Sequence, residues 1–234
     1  MNIENNEKIG VIWDLDGTIV DSINLYFASY VPVFKKYGIS EPPVAEFYHE
    51  YRTKYFGRSV EALVADYSPR VLSDEELAAL KRDYLMCADR IIRERGLDCV
   101  RMLAGVDRVL NGFFDRGCPM AIASTSWMPT IVHTLETIGF LDKFTNISSG
   151  NILPSKPSPE VFLTAAASIG MPAERCVVFE DSLAGMRGAK NAGMLCVGIA
   201  GSLTPDKMPD ADIPLACYDD LDLDALIRKV NGLS

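Results

Sequence analysis

The sequence predicts an α/β protein: a doubly wound parallel sheet interrupted by an all-helical insertion. Three observations predict it. Short, continuous apolar runs bounded by polar or glycine residues recur along the chain, as buried parallel strands do. From Leu103 onward they alternate with helix-like stretches, the signature of βαβ units. Between about 19 and 95 no strand-like run appears. At 234 residues the chain suits one large domain or two small ones, with enough length to bury a substantial core.

The strand-like runs are 9–13, 119–123, 144–148, 176–179 and 195–200. The helix-like stretches between them are 106–116, 129–138, 159–169 and 183–192. Within the insertion, 22–37 reads as helical. The stretch 73–95 is stronger: Ser73 and Glu76 fit a capping box, and Leu77, Leu80, Tyr84, Leu85, Ala88, Ile91 and Ile92 follow a helical stripe. These boundaries divide the chain into a catalytic core of 1–18 and 101–234 and a helical cap of 19–100, with hinges at 18–21 and 97–105. An insertion placed straight after a strand's carboxyl end hangs over the place where open α/β sheets bind ligands.

Composition excludes several classes. Hydrophobic residues make up 48% and charged residues 24%, which rules out disorder as the main state. The net charge of -9 argues against a nucleic-acid binder, which shows a basic face. No apolar run approaches the roughly 20 residues of a membrane span, and no secretory h-region precedes the first strand. The six cysteines form no C-x-x-C pair and sit mostly in apolar segments, so reduced thiols in a cytoplasm are expected. Much of the acid lies in a C-terminal tract: 201–224 holds seven aspartates and one lysine, read as a solvated edge.

The remaining acids are placed differently. The first strand ends in Asp14-Leu15-Asp16-Gly17-Thr18. Positions i and i+2 of an extended segment share a side, so Asp14 and Asp16 face one space and Leu15 turns inward. Two such carboxylates repel unless a cation or a proton intervenes. Taken alone, the motif also reads as an acidic turn with a helix cap. The second strand ends in Ser124-Thr125-Ser126, whose hydroxyls and N–H groups before a helix can hold an anion or simply cap. Lys156 precedes Pro157-Ser158-Pro159, where Ser158 and Pro159 suit a helix start; the lysine either holds a negative charge or is solvated. The next strand ends in Glu180-Asp181, two acids that need pairing or metal if buried. Oxygen-only ligands favour a hard cation such as Mg²⁺, and His49 and His133 read as structural or surface residues.

With these four segments in order, the chain resembles the haloacid dehalogenase-like hydrolase superfamily. It is most similar to the helical-cap group of β-phosphoglucomutase and sugar-phosphate phosphatase type, which has a Rossmann-like core. The resemblance implies that Asp14 is a nucleophile forming an aspartyl-phosphate and that Asp16 is the general acid and base. It implies that Ser124, with N–H groups near Gly17, Thr125 and Ser126, holds the phosphoryl oxygens, and that Lys156 neutralises charge. Mg²⁺ is implied on Asp14, the Asp16 carbonyl and Asp181, with Glu180 as a ligand or just behind one.

Asp16 argues against dehalogenation, which needs no leaving-group proton, and against a phosphonatase, which lacks this acid and uses a cap lysine; Lys54 is the candidate for that role. The expected function is phosphatase action on a small phosphorylated metabolite, with a sugar phosphate foremost. A β-phosphoglucomutase-like mutase is the alternative, and a non-catalytic phospho-ligand binding protein is a second. Mutases of this kind carry an arginine three positions after the cap glycine, where this chain has Val60. Arg52, Lys54 and Arg58, beside Gly57, read either as substrate contacts or as a solvated helix face. Trp127 is a candidate for shaping the pocket. No nucleic acid or membrane partner is expected, and the chain is expected to be a monomer or weak dimer.

Overall fold

The computed structural model describes residues 8–40, 60–150, 153–201 and 203–232. In chain order the elements are β1 (Gly10–Trp13), β2 (Val20–Asp21), α1 (Ile23–Lys36), α2 (Val60–Tyr67), α3 (Asp74–Arg95), β3 (Arg101–Met102), α4 (Val106–Asp115), β4 (Met120–Ser124), α5 (Met128–Thr137), β5 (Asn146–Ser149), α6 (Glu160–Ser168), β6 (Cys176–Glu180), α7 (Leu183–Asn191), β7 (Leu195–Ile199), β8 (Ile213–Leu215) and α8 (Leu223–Val230). Six strands form one parallel sheet in the order β5-β4-β1-β6-β7-β8. The winding reverses around β1, so its carboxyl end opens into the crevice that α/β sheets use for ligands.

Side-chain alternation assigns each strand residue to a face. Val11 and Trp13 of β1 join Met120, Ile122, Val177 and Phe179 in one apolar cluster, closed by α4, α5 and α8. Ile12 points the other way, with Ala121, Ala123, Cys176 and Val178, under α6 and α7. Trp13 stacks on Phe179 with ring centroids 4.1 Å apart, which fixes β1 against β6 just below the carboxylates. A third cluster is separate and mostly helical: Phe34 of α1, Leu63 of α2, and Leu80 and Ile92 of α3 are among its members. The capping box that starts α3 is present, Ser73 Oγ accepting from the Glu76 N–H and the Glu76 carboxylate from the Ser73 N–H. Among the described residues, no helix is long and apolar enough to cross a membrane. All six cysteines are free, and Cys217 alone is exposed.

The structure departs from the sequence expectation in three places. First, β2 falls inside the stretch read as strand-free, pairing antiparallel with β3, Val20 opposite Met102 and Asp21 opposite Arg101. These are the two segments expected to be hinges, and they lie side by side in one short ladder. Second, the acidic C-terminal tract is more than an edge: six of its seven aspartates are exposed as expected, but it contains β8, leads into α8, and four of those aspartates tie it to the core. Asp210 accepts from Arg187, Asp212 accepts the Cys196 N–H at 2.8 Å, Asp222 caps α8, and Asp224 pairs with Arg116. Third, Ser158 does not cap α6: Pro159 holds that position, and the Ser158 hydroxyl donates to Glu160.

Candidate active site

The last residue of β6 and the residue after β1 meet through one lysine. Lys156 Nζ lies 2.6 Å from Asp14 Oδ1 and 2.6 Å from Glu180 Oε1, and its side chain is only 6% exposed. Burial raises the Asp14 pKa to about 8, and the charges of Glu180 and Asp16 act in the same direction; the lysine offsets only part of this. Burial works against the Lys156 ammonium too, but Asp14 and Glu180 together overcome it and hold its pKa above the usual lysine value. Asp181 is raised well above an ordinary carboxylate by burial, then by Glu180 and Asp14; its hydrogen bond comes from Thr18 Oγ1 at 3.3 Å.

Glu180 is committed on both oxygens. Oε1 takes Lys156, while Oε2 accepts from the Asp181 N–H, the Ser182 N–H and the Ser182 hydroxyl at 2.7–2.9 Å. The bend after β6 and the start of α7 are thereby clamped to it. Gly185 makes the clamp possible, since a Cβ there would overlap the Glu180 carboxylate. Glu180 thus orients Lys156 and the start of α7, contacts that fit the place just behind the metal ligands.

Asp16 is held from two sides. Its Oδ1 accepts from Ser22 Oγ at 2.6 Å and its Oδ2 from Ser126 Oγ at 2.5 Å. Ser126 Oγ is also 3.0 Å from the Tyr26 hydroxyl on α1, so the acid is linked to the helical cluster. Gly17 sits in the tight turn behind it at φ 86, a conformation an L residue rarely takes. The loop after β4 closes on itself: Ser124 Oγ accepts the Ser126 N–H at 3.1 Å. That N–H, expected to be free for an anion, is thus occupied. Ser124 is buried behind the loop, and Thr125 and Ser126 line the open space in front.

That space is a cavity of about 410 Å³, ample for a small organic phosphate. Asp14, Asp16, Thr125, Ser126, Lys156 and Asp181 all line it, so the structure brings the core candidates together. Trp127 lines it as well. Arg52, Lys54 and Arg58 lie outside the described residues. Sequence reading missed the opposite wall. Tyr26 and Tyr30 from α1, and Lys81, Tyr84, Leu85 and Ala88 from α3, face the carboxylates across the cavity. Tyr30 and Tyr84 stack with centroids 4.5 Å apart. Their helical spacing was visible, but spacing alone does not separate a lining aromatic from a packed one. His133 also has a partner that the sequence gave no sign of: its Nδ1 is 2.7 Å from Asp89 Oδ1, joining α5 to α3.

The donor set suits a hard cation. Asp14, Glu180 and Asp181 are buried near one another with Lys156 paired to only two of them. Among the described residues, no group of three or more His, Cys, Asp and Glu side chains forms a ready cage. An ion that keeps several waters and takes one or two carboxylates plus a substrate phosphate does not need one. Asp14 and Asp181 are the carboxylates with oxygens to offer.

The chain matches the family model described as haloacid dehalogenase-like hydrolase over residues 11–199. YhcW of Bacillus subtilis (strain 168), named as a candidate phosphatase, is 30% identical over 224 residues, covering 95% of this chain and 97% of that protein. The β-phosphoglucomutase of the same organism is 30% identical over 224 residues, with 92% of each chain covered. The crystal structure of CbbY from Rhodobacter sphaeroides in complex with phosphate superposes with a TM-score of 0.78 at 23% identity. It covers 92% of this chain and 96% of that one, and shows likeness of fold. The acids at the ends of β1 and β6, the lysine between them and the match across most of the chain agree: this protein belongs to the haloacid dehalogenase-like hydrolase family.

Proposed function

We propose that the protein is a Mg²⁺-dependent phosphatase acting on a small phosphorylated metabolite, foremost a sugar phosphate. The carrying observation is the pair of acids after β1. Asp14 is buried against Lys156, and Asp16 is held by two hydroxyls in the same cavity. In this reading an Asp14 oxygen attacks phosphorus and the bond to the leaving oxygen breaks. Asp16 donates its proton to that oxygen, then takes a proton from the water that releases phosphate from Asp14. Lys156, oriented by Glu180, neutralises charge on Asp14 and the phosphoryl group. The Thr125 loop, braced from behind by Ser124, holds the remaining phosphoryl oxygens. Mg²⁺, held by Asp14, Asp181 and the Asp16 carbonyl, supplies positive charge to those oxygens when bound. Residues 19–100 act as a cap over a core of 1–18 and 101–234, excluding water during transfer. Six free cysteines support a reducing, cytoplasmic setting.

The names of YhcW and β-phosphoglucomutase support phosphoryl chemistry on both sides of the phosphatase-mutase divide. Val60 supports the phosphatase side. It is buried and lines the cavity, so hydrocarbon stands where a mutase of this group carries a phosphate-gripping arginine. A phosphate-release screen with Mg²⁺ over sugar, nucleotide and glycerol phosphates tests the reading. Free phosphate from at least one sugar phosphate is expected. β-Glucose 1-phosphate with a bisphosphate primer belongs in the screen, and isomer formed without free phosphate would make the protein a mutase.

Metal binding has a pH signature whose sign follows from the raised carboxylates. The folded protein holds protons on Asp14 and Asp181 that the unfolded chain, with acids near 3.8, releases. Stability from Asp14 is therefore full below about pH 4 and lost as pH rises towards about 8 in the metal-free protein, and Asp181 acts with the same sign. Mg²⁺ competes for the same oxygens and replaces the lost charge balance. Saturating Mg²⁺ is expected to raise Tm by roughly 5 to 10 °C near pH 8 and by much less near pH 5. A Tm gain independent of pH, measured by differential scanning fluorimetry, would speak against these ligands.

A further inference from the structure

Tyr218 lies in the acidic C-terminal tract, yet it is only 1% exposed. Its ring joins the aromatic cluster beneath the acids, with centroids 6.2 Å from Trp13 and 6.3 Å from Phe179. Those two residues directly precede Asp14 and Glu180. Gly105, which starts α4 at φ 78, permits the approach: a Cβ there would stand 3.2 Å from the Tyr218 Cβ and 2.9 Å from Asp219 Oδ1. Arg108 of α4 donates to the Tyr218 carbonyl at 2.6 Å.

Packing accounts for an aromatic ring here but not for its hydroxyl, which burial penalises unless a partner is found. That partner is the Thr18 carbonyl, at 2.8 Å and 200 positions away. Thr18 is fully buried too, and its own hydroxyl donates to Asp181 Oδ1 at 3.3 Å. One residue thus takes Tyr218 on its backbone and gives to Asp181 from its side chain. The Thr18 bond restrains the rotation of the Asp181 carboxylate, which lines the cavity. The Tyr218 bond in turn pins Thr18 to the core at the point where the chain leaves for β2 and α1.

We propose that Tyr218 is a positioning residue for the metal site: through the Thr18 carbonyl it holds Thr18 where that hydroxyl orients Asp181 towards Mg²⁺. This role rests on the Mg²⁺ reading of the site and adds to it a residue from the far end of the chain. Removing a group directly behind a metal ligand weakens metal binding by about 10–100-fold. Tyr218 stands one residue further back, so its share is smaller.

The test measures divalent-metal affinity itself. Mn²⁺ stands in for Mg²⁺, free Mn²⁺ is read by its electron paramagnetic resonance signal, and Mg²⁺ is added in competition. The wild type, Tyr218→Phe, Thr18→Val and the double variant are compared with Asp222→Ala, which removes the α8 cap from the same tract. Thr18→Val is expected to raise Kd about ten-fold and Tyr218→Phe about three-fold. The double variant is expected to match Thr18→Val alone. Tyr218→Phe and Asp222→Ala are each expected to lower Tm by about 2–4 °C, with Kd unchanged in Asp222→Ala. An unchanged Kd in Tyr218→Phe would overturn the proposal and leave the phosphatase reading standing. So would additive losses in the double variant, since Tyr218 would then not act through Thr18. A Kd raised equally by Asp222→Ala would do the same, marking a general loosening of the tract. A wild type that binds neither ion would instead remove the Mg²⁺ reading, and this role with it.

Discussion

Asp14→Asn is expected to lower kcat by on the order of 10⁴-fold or more while the protein stays folded. The amide keeps the shape of the side chain but cannot accept a phosphoryl group. The fold should tolerate it well. Asp14 is a buried carboxyl whose pKa rises to about 8, so its charged form is disfavoured where it sits. Lys156 keeps Glu180 as a partner at 2.6 Å. Tm is expected to be retained or raised, read by circular dichroism alongside phosphate release. Turnover within ten-fold of the wild type would mean that another group receives the phosphoryl.

Lys156→Met carries the second large effect, and it falls on stability as well as activity. The ammonium is enclosed between Asp14 and Glu180, and its loss leaves the buried Glu180 carboxylate without its cation. Breaking a buried pair from one side is destabilising by about 3–5 kcal/mol, because the remaining charge is uncompensated. Part of this is recovered as the acids take up protons, so the deficit should shrink at low pH. Urea unfolding at two pH values measures both. A deficit under 1 kcal/mol near neutral pH would show that the pair is solvated and the site more open than its 6% exposure indicates.

The parts of the fold legible in the sequence were those with dense local signals. Fully buried parallel strands such as β4 and β6 are continuous apolar runs, and α3 announces itself with Ser73, Glu76 and a long stripe. The catalytic candidates were legible for the same reason: Asp14, Ser124 and Glu180-Asp181 each sit at the end of such a run. The two-residue ladder of β2 and β3 was not, since its pairing is made across about eighty residues and leaves no local pattern. Strand β8 is three residues long with Pro214 in its centre, which reads as a break. The acids around it were counted as surface charge, because a cap such as Asp222 differs from a solvated aspartate only in what stands beside it in space.

The site shows the same boundary between composition and geometry. That Glu180 is saturated by Lys156 and the start of α7 depends on which way its side chain turns, and Gly185 was the one sequence trace of it. The line from Asp16 through Ser126 to Tyr26 joins residues a hundred positions apart.

The most direct measurement is of the covalent step on Asp14. The wild type is mixed with Mg²⁺ and a phosphoester that it hydrolyses, quenched in acid during turnover, digested, and read by mass spectrometry. The account predicts one phosphoryl group on the peptide containing Asp14, absent from Asp14→Asn. Phosphate release with no phosphoryl group on that peptide, or with the group on another residue, would contradict it.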